Sequence, residues 1–116
     1  MVYKVVFHVN LPDEMAFNQG LNNVTNLLKS IPGQEHDVIM LFNGPAVSLV
    51  AGDDSLPFHE RIKELHSKGV RFQACRNALQ KFEVATDTLV AECEIIPAGI
   101  TAIIELQNDG FAYIKP

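Results

Sequence analysis

Gly69-Val70-Arg71-Phe72-Gln73-Ala74-Cys75-Arg76-Asn77-Ala78-Leu79 is a short apolar run that meets a cysteine and passes straight into helix-forming residues. A strand of a parallel sheet ends at the mouth of the sheet, and a helix that starts there aims unpaired N–H groups at the same spot. A thiol at such a junction sees a positive partial charge, which favours the nucleophilic thiolate. Cys75 is therefore the first candidate for chemistry.

The rest of the chain repeats the pattern of strand followed by helix. Val2 to Val9 is an almost unbroken β-branched and aromatic run, closed by Asn10-Leu11-Pro12, and reads as a buried strand. Asp13 then opens a helix whose inward face is Phe17, Leu21, Val24, Leu28 and Ile31, and Pro32-Gly33 stops it. Asp37 to Phe42 is a second strand, broken by Asn43-Gly44-Pro45, with a short helix or turn over Ala46 to Ala51. A helix from Leu56-Pro57-Phe58 buries Phe58, Ile62 and Leu65 and ends at Lys68-Gly69.

Beyond the third strand, Val70 to Ala74, a short helix from Arg76 to Phe82 is expected to turn Ala78, Leu79 and Phe82 inward. Ala85 to Cys93 fits no single period, and Glu94 to Pro97 suits a short fourth strand. The last helix opens at Ala98-Gly99 and puts Ile100, Ile103, Ile104 and Leu106 on its buried face; Phe111 to Lys115 is a final strand. Alternation of this kind predicts an α/β fold, a three-layer sandwich with a mostly parallel sheet of about five strands and helices on both faces. The 116 residues suit a single domain spanning 1–116.

Composition narrows the partners. With a net charge of −5 and no Lys/Arg cluster, the chain lacks the basic stripe that nucleic acid or an anionic membrane requires. Its amino terminus reads at once as a strand rather than a signal peptide, and no apolar run approaches the roughly 20 residues of a membrane span. A cytoplasmic protein is the expectation. Two cysteines, Cys75 and Cys93, make no disulfide scaffold, and neither they nor the four scattered histidines have a metal-ligand spacing. No glycine-rich phosphate loop follows any strand, so no nucleotide cofactor is expected.

Other residues fall at the same sheet edge as Cys75. Asn43 and Gly44 follow the second strand, where ligands bind in open α/β folds, although Asn-Gly-Pro is also an efficient turn. His8, near the end of the first strand, is a proton donor or acceptor for that crevice or a hydrogen-bonded core residue. Arg76 is an anion partner for the thiolate or a solvated surface group, and Asn77 a polar contact. Cys93 lies between Glu92 and Glu94, whose charges raise a thiol pKa, and is read as structural. Asp53-Asp54 is read as a solvated loop.

Val6-Phe7-His8-Val9, Phe42-Asn43-Gly44-Pro45, the Gly69 to Leu79 stretch, Ile96-Pro97-Ala98-Gly99 and the closing Leu106 to Pro116 occur in an order that resembles the DsrE/DsrF-like family of small α/β proteins linked to intracellular sulfur handling. That resemblance implies a flavodoxin-like, three-layer subunit assembled into homo-oligomers, typically trimers or hexamers. It also implies a cysteine, here Cys75, that carries sulfur as a persulfide between donor and acceptor proteins. The best-known relay members follow this cysteine with an alanine-rich helix ending in Arg-Gly; Arg76-Asn77-Ala78-Leu79-Gln80-Lys81 departs from that pattern.

Two functions of different class follow. In the first, Cys75 accepts sulfane sulfur and passes it on, with Arg76 and a helix N-terminus steadying the anion; thiolate attack on a sulfur–sulfur bond needs no metal or organic cofactor. In the second, the chain is a non-catalytic oligomeric binding module, its crevice at Asn43, Gly44 and Cys75 holding a small ligand or a partner's tail around a structural cysteine.

Overall fold

Tyr3–Val9 forms β1 in the computed structural model, which describes all 116 residues. It runs in parallel register with β2, His36–Phe42, from Tyr3 against His36 to Val9 against Phe42. Between them lies α1, Glu14–Ser30, started as expected at Asp13: its Oδ1 accepts from the Met15 and Ala16 N–H groups, at 2.9 and 3.3 Å. These satisfy two donors that every helix start leaves unpaired.

After β2 the chain makes two 3-10 segments, Gly44–Val50 and Asp53–Phe58, before α2, His59–Ser67. The next elements are β3 at Arg71–Cys75 and α3 at Arg76–Lys81, with no residue between them. The stretch that sequence periodicity left open is largely irregular, with a 3-10 turn at Thr86–Thr88. It is pinned to the core by backbone bonds from Gly52 N–H to Thr88 O and from Val90 N–H to Val50 O, both 2.9 Å. The chain closes with β4 at Cys93–Ile96, α4 at Gly99–Asn108 and β5 at Ala112–Ile114. Cys93 thus opens β4 and does not precede it.

All five strands are parallel, in the order β4-β3-β2-β1-β5. The chain steps in one direction from β1 to β4, then jumps back over the sheet to place β5 beside β1. Because crossovers between parallel strands are right-handed, reversing the direction of travel moves the connecting helix to the other face. Hence α1, α2 and α3 cover one face and α4 alone covers the other.

Strand alternation divides the core accordingly. Val5, Phe7, Val38, Met40, Phe42 and Phe72 join Phe17, Leu21, Ile62 and Leu65 in a cluster of 23 buried residues. Val6, Ile39 and Leu41 face the other way and meet Ile103 and Phe111 in a cluster of five buried residues, with half-buried Ile96, Ala102 and Leu106 packed against it. Two side-chain expectations change here. Of the four residues assigned to the buried face of α4, Ile103 alone is buried, while Ile100 and Ile104 are 60% and 54% exposed and Leu106 is half-buried. One helix on a bare face can press only one stripe against the sheet. Phe82 is also out of the core, at 41% exposed, because α3 ends at Lys81.

Candidate functional site

The reversal that sends α4 to the far face also opens a crevice. At the carboxyl end of β3 the chain leaves toward one face through α3, and at the neighbouring end of β4 it leaves toward the other through α4. Adjacent strand ends whose helices part in this way leave a gap between them, the usual ligand site of an open α/β sheet. A cavity of about 370 Å³ lies there. Cys75 ends β3 and lines it; Asn77, Ala78, Lys81 and Phe82 of α3 form one wall; Ala98, Gly99 and Ile100 form another; and Asn43, Gly44 and Pro45 come from the end of β2. Asn77, Lys81, Phe82 and Ile100 are exposed and form the mouth, whereas Cys75 is buried at the back.

The donor to the Cys75 sulfur differs from the one the sequence suggests. Although Cys75 caps α3, its side chain takes no hydrogen bond from that six-residue helix. Its Sγ instead accepts from the backbone N–H of Gly99, the first residue of α4, at 3.3 Å. That N–H is one of the four at a helix start with no partner inside the helix, so the sulfur supplies a partner and gains a donor. Only glycine fits. A Cβ on residue 99 would stand 3.0 Å from Asn43 Cβ and 3.3 Å from Cys75 Cβ.

Gly44 and Asn43 are set by the backbone of the turn they make. Gly44 has φ +57°, the left-handed region, and a Cβ there would meet Asn10 O at 3.0 Å. Asn43 N–H donates to Val9 O at 3.1 Å, which continues the β1–β2 ladder one residue past the strands. The Asn43 side chain is buried, and its Oδ1 lies 2.8 Å from His8 Nε2. On the other side of the ring, His8 Nδ1 lies 2.6 Å from the Tyr113 hydroxyl. His8 therefore does not line the cavity; it stands one residue behind it, gripping Asn43.

The structure thus gathers Cys75, Asn43, Gly44 and Asn77 about one cavity, places His8 behind Asn43, and leaves Arg76 exposed and outside the lining. The cation at the mouth is Lys81. On a helix Asn77, Ala78, Lys81 and Phe82 share a face, and Arg76 stands off it, a spacing that was available from the sequence once α3 was placed. Gly99 and Tyr113 were not singled out. A glycine opening a helix directly after a strand was the one signal for the former, and nothing local pointed to the latter.

Cys93 is a different thiol. Burial, and after it the charge of Glu94, pushes it from 9.0 up to about 12, which keeps it protonated and a poor nucleophile. Glu94 is itself held by Gln73, whose Nε2 donates to Glu94 Oε1 at 2.7 Å. No three His, Cys, Asp or Glu side chains converge closely enough to hold a metal ion. No helix is long and apolar enough to cross a membrane.

The model of the DsrE/DsrF-like family matches residues 4–116. The chain belongs to this family. Among solved structures, the family domain is similar to the protein of unknown function MTH1491 from Methanobacterium thermoautotrophicum, at 29% identity and TM-score 0.89, with 98% of this chain and 99% of that one covered. The conserved protein of unknown function BT1422 from Bacteroides thetaiotaomicron shares the fold at 20% identity and TM-score 0.73, over 97% and 94% of the two chains. So does the ychN protein from E. coli, at 11% identity and TM-score 0.74, over 99% and 97%. No protein of curated function matches the chain.

Proposed function

We propose that this DsrE/DsrF-like protein is a sulfur carrier in which Cys75 holds sulfane sulfur as a persulfide. The observation that supports this most is the position of Cys75 Sγ at the back of the switch-point cavity, with the Gly99 N–H directed at it at 3.3 Å. In the reaction, the ionised Cys75 sulfur attacks the outer sulfur of a donor R–S–SH. A new sulfur–sulfur bond forms to Sγ, the old one breaks, and its electron pair leaves on the donor as R–S⁻. The outer sulfur then sits in the cavity as Cys75–S–SH until an acceptor thiolate attacks it and Cys75 leaves as thiolate. Thiols are conserved across both steps and no oxidant is consumed, which suits a reducing cytoplasm. Lys81 at the mouth favours an anionic donor or acceptor.

The thin cover over the second face supports a homo-oligomer. Ile100 and Ile104 on α4, with Tyr113 and Ile114 on the edge strand β5, are exposed apolar groups that a second copy of the chain would bury.

Mass measurement after incubation with glutathione persulfide tests the carrier reading. One added sulfur is expected on the wild type and on Cys93→Ser, and none on Cys75→Ser. Sulfur found equally on both single variants, or on neither, defeats it and leaves the binding-module reading.

A further inference from the structure

Asn43 is nine-tenths buried, yet its side chain is only half satisfied. Oδ1 is taken by His8 Nε2 at 2.8 Å, and Nδ2 has no partner in the chain. A sealed-off amide without partners would be costly, but His36 Nδ1 is the one fully enclosed side-chain atom left unpaired; Asn43 Nδ2 therefore keeps its opening onto the cavity that Asn43 lines. A Cβ built on Gly99 would lie 3.1 Å from Nδ2 and 3.3 Å from Cys75 Cβ, so the amide and the thiol flank the same small space.

The orientation of that amide is set from behind. Oδ1 can only accept, so Nε2 of His8 must carry the ring proton. Nδ1 is then an acceptor, and the Tyr113 hydroxyl, 2.6 Å away, donates to it. With Asn43 Oδ1 turned to the ring, proton order runs from Tyr113 through His8 to Asn43 and every member satisfies its neighbour; the reverse order, set by an Nδ1–H tautomer, would turn the amide round. The outcome is a donor N–H₂ turned toward the sulfur site instead of a carbonyl, which would repel an anion.

Resting on the carrier reading, we infer that Asn43 Nδ2 donates to the outer sulfur of the Cys75 persulfide, and that His8 and Tyr113 are positioning residues that hold the amide donor-outward. A persulfide's outer sulfur is its anionic end, one bond length further into the cavity than Sγ. The Gly99 N–H serves the inner sulfur and Asn43 the outer one. His8 and Asn43 are buried polar side chains, joined to the part-exposed Tyr113 hydroxyl, and the mostly apolar core around them does not call for this chain.

Two measurements test it. The ¹⁵N resonances of the His8 ring in the wild type should show the Nε2–H tautomer; an Nδ1–H tautomer would turn the Asn43 carbonyl outward and overturn the inference whatever the sulfur chemistry. The second is the fraction of Cys75 loaded at equilibrium with a glutathione persulfide and glutathione buffer, read by mass. Loading should fall about tenfold or more for Asn43→Leu and Asn43→Asp, the worth of one charge-assisted hydrogen bond. His8→Leu should fall likewise and His8→Gln, whose amide can donate where Nε2 did, should recover most of it. Tyr113→Phe removes only a hydroxyl from a part-exposed side chain and covers the case in which a His8 variant misfolds; it should lower loading by a smaller factor. A wild type that takes no sulfur overturns the carrier reading and this ligand with it. A wild type that loads normally alongside equally loaded Asn43 variants overturns this inference alone.

Discussion

Two cysteines in one small chain have come to opposite environments, and the difference is made by what faces each sulfur. Cys75 receives a backbone N–H; Cys93 receives low-dielectric surroundings and a carboxylate. For Cys93 this has a pH signature. Its proton stays on in the fold up to about pH 12, while an unfolded chain loses it near 9.0. Between those values the unfolded state binds fewer protons, so stability falls as pH rises, and below them the group contributes no slope. Replacing Cys93 with alanine should flatten the alkaline loss by about one proton in denaturation midpoints compared from pH 8 to 11; an unchanged slope would show that the thiol is not protected. With iodoacetamide near neutral pH, Cys93 should be alkylated far more slowly than Cys75 once a reagent small enough to enter the cavity is used, read by peptide mass.

At the scale of elements, the site depends on how α4 and α1 dock. Gly99→Ala sets a methyl carbon only 3.0 Å from Asn43 Cβ and 3.3 Å from Cys75 Cβ, closer than van der Waals contact, so α4 or these neighbours must give way by a few tenths of an ångström. A loss of about 1–3 kcal/mol is expected from such overpacking, together with loss of the Gly99–Cys75 bond and of sulfur loading. Thermal melts and mass loading on the same sample check both, and an alanine variant that loads normally would show that the bond to Sγ is dispensable. The docking of α1 is an independent matter. Phe17 is fully buried, with ring centroids 5.1 Å from Phe42 and 4.4 Å from Phe58, so it ties α1 to β2 and to the 3-10 segment before α2. Phe17→Ala should cost about 3–5 kcal/mol in urea denaturation. Because Phe42 directly precedes Asn43, this loss should also loosen the cavity.

The whole molecule is lopsided. Three helices cover one face of the sheet over a cluster of 23 buried residues, and a single ten-residue helix covers the other over five. A face with Ile100, Ile104, Tyr113 and Ile114 exposed is expected to be buried between copies. Light scattering at micromolar concentration should give a multiple of the chain mass, and Ile104→Glu, whose side chain is already outside the subunit core, should lower that multiple without lowering the melting point of the subunit. A wild type with the mass of one chain would mean that the exposed stripe serves another purpose.

Much of this was legible along the chain. The α/β alternation, the parallel sheet of five strands, the start of α1 at Asp13 and the placement of Cys75 where β3 meets α3 all follow from local period and capping chemistry, which depend on neighbours a few residues away. Asn43, Gly44 and Asn77 were within reach for the same reason, since strand ends and helix starts locate themselves. The exposure of Ile100 and Ile104 was not, because four isoleucines and leucines on a helix look alike until the number of helices per face is known. Nor was the donor to Cys75: Gly99 lies 24 residues away in the chain and reaches the sulfur only because β4 pairs beside β3 and the crossover reverses there. The chain from Tyr113 to His8 to Asn43 joins residues 105 and 35 positions apart. Such contacts are made by strand order, and strand order is decided by which apolar faces pack together, a property of the folded chain that no window of sequence contains.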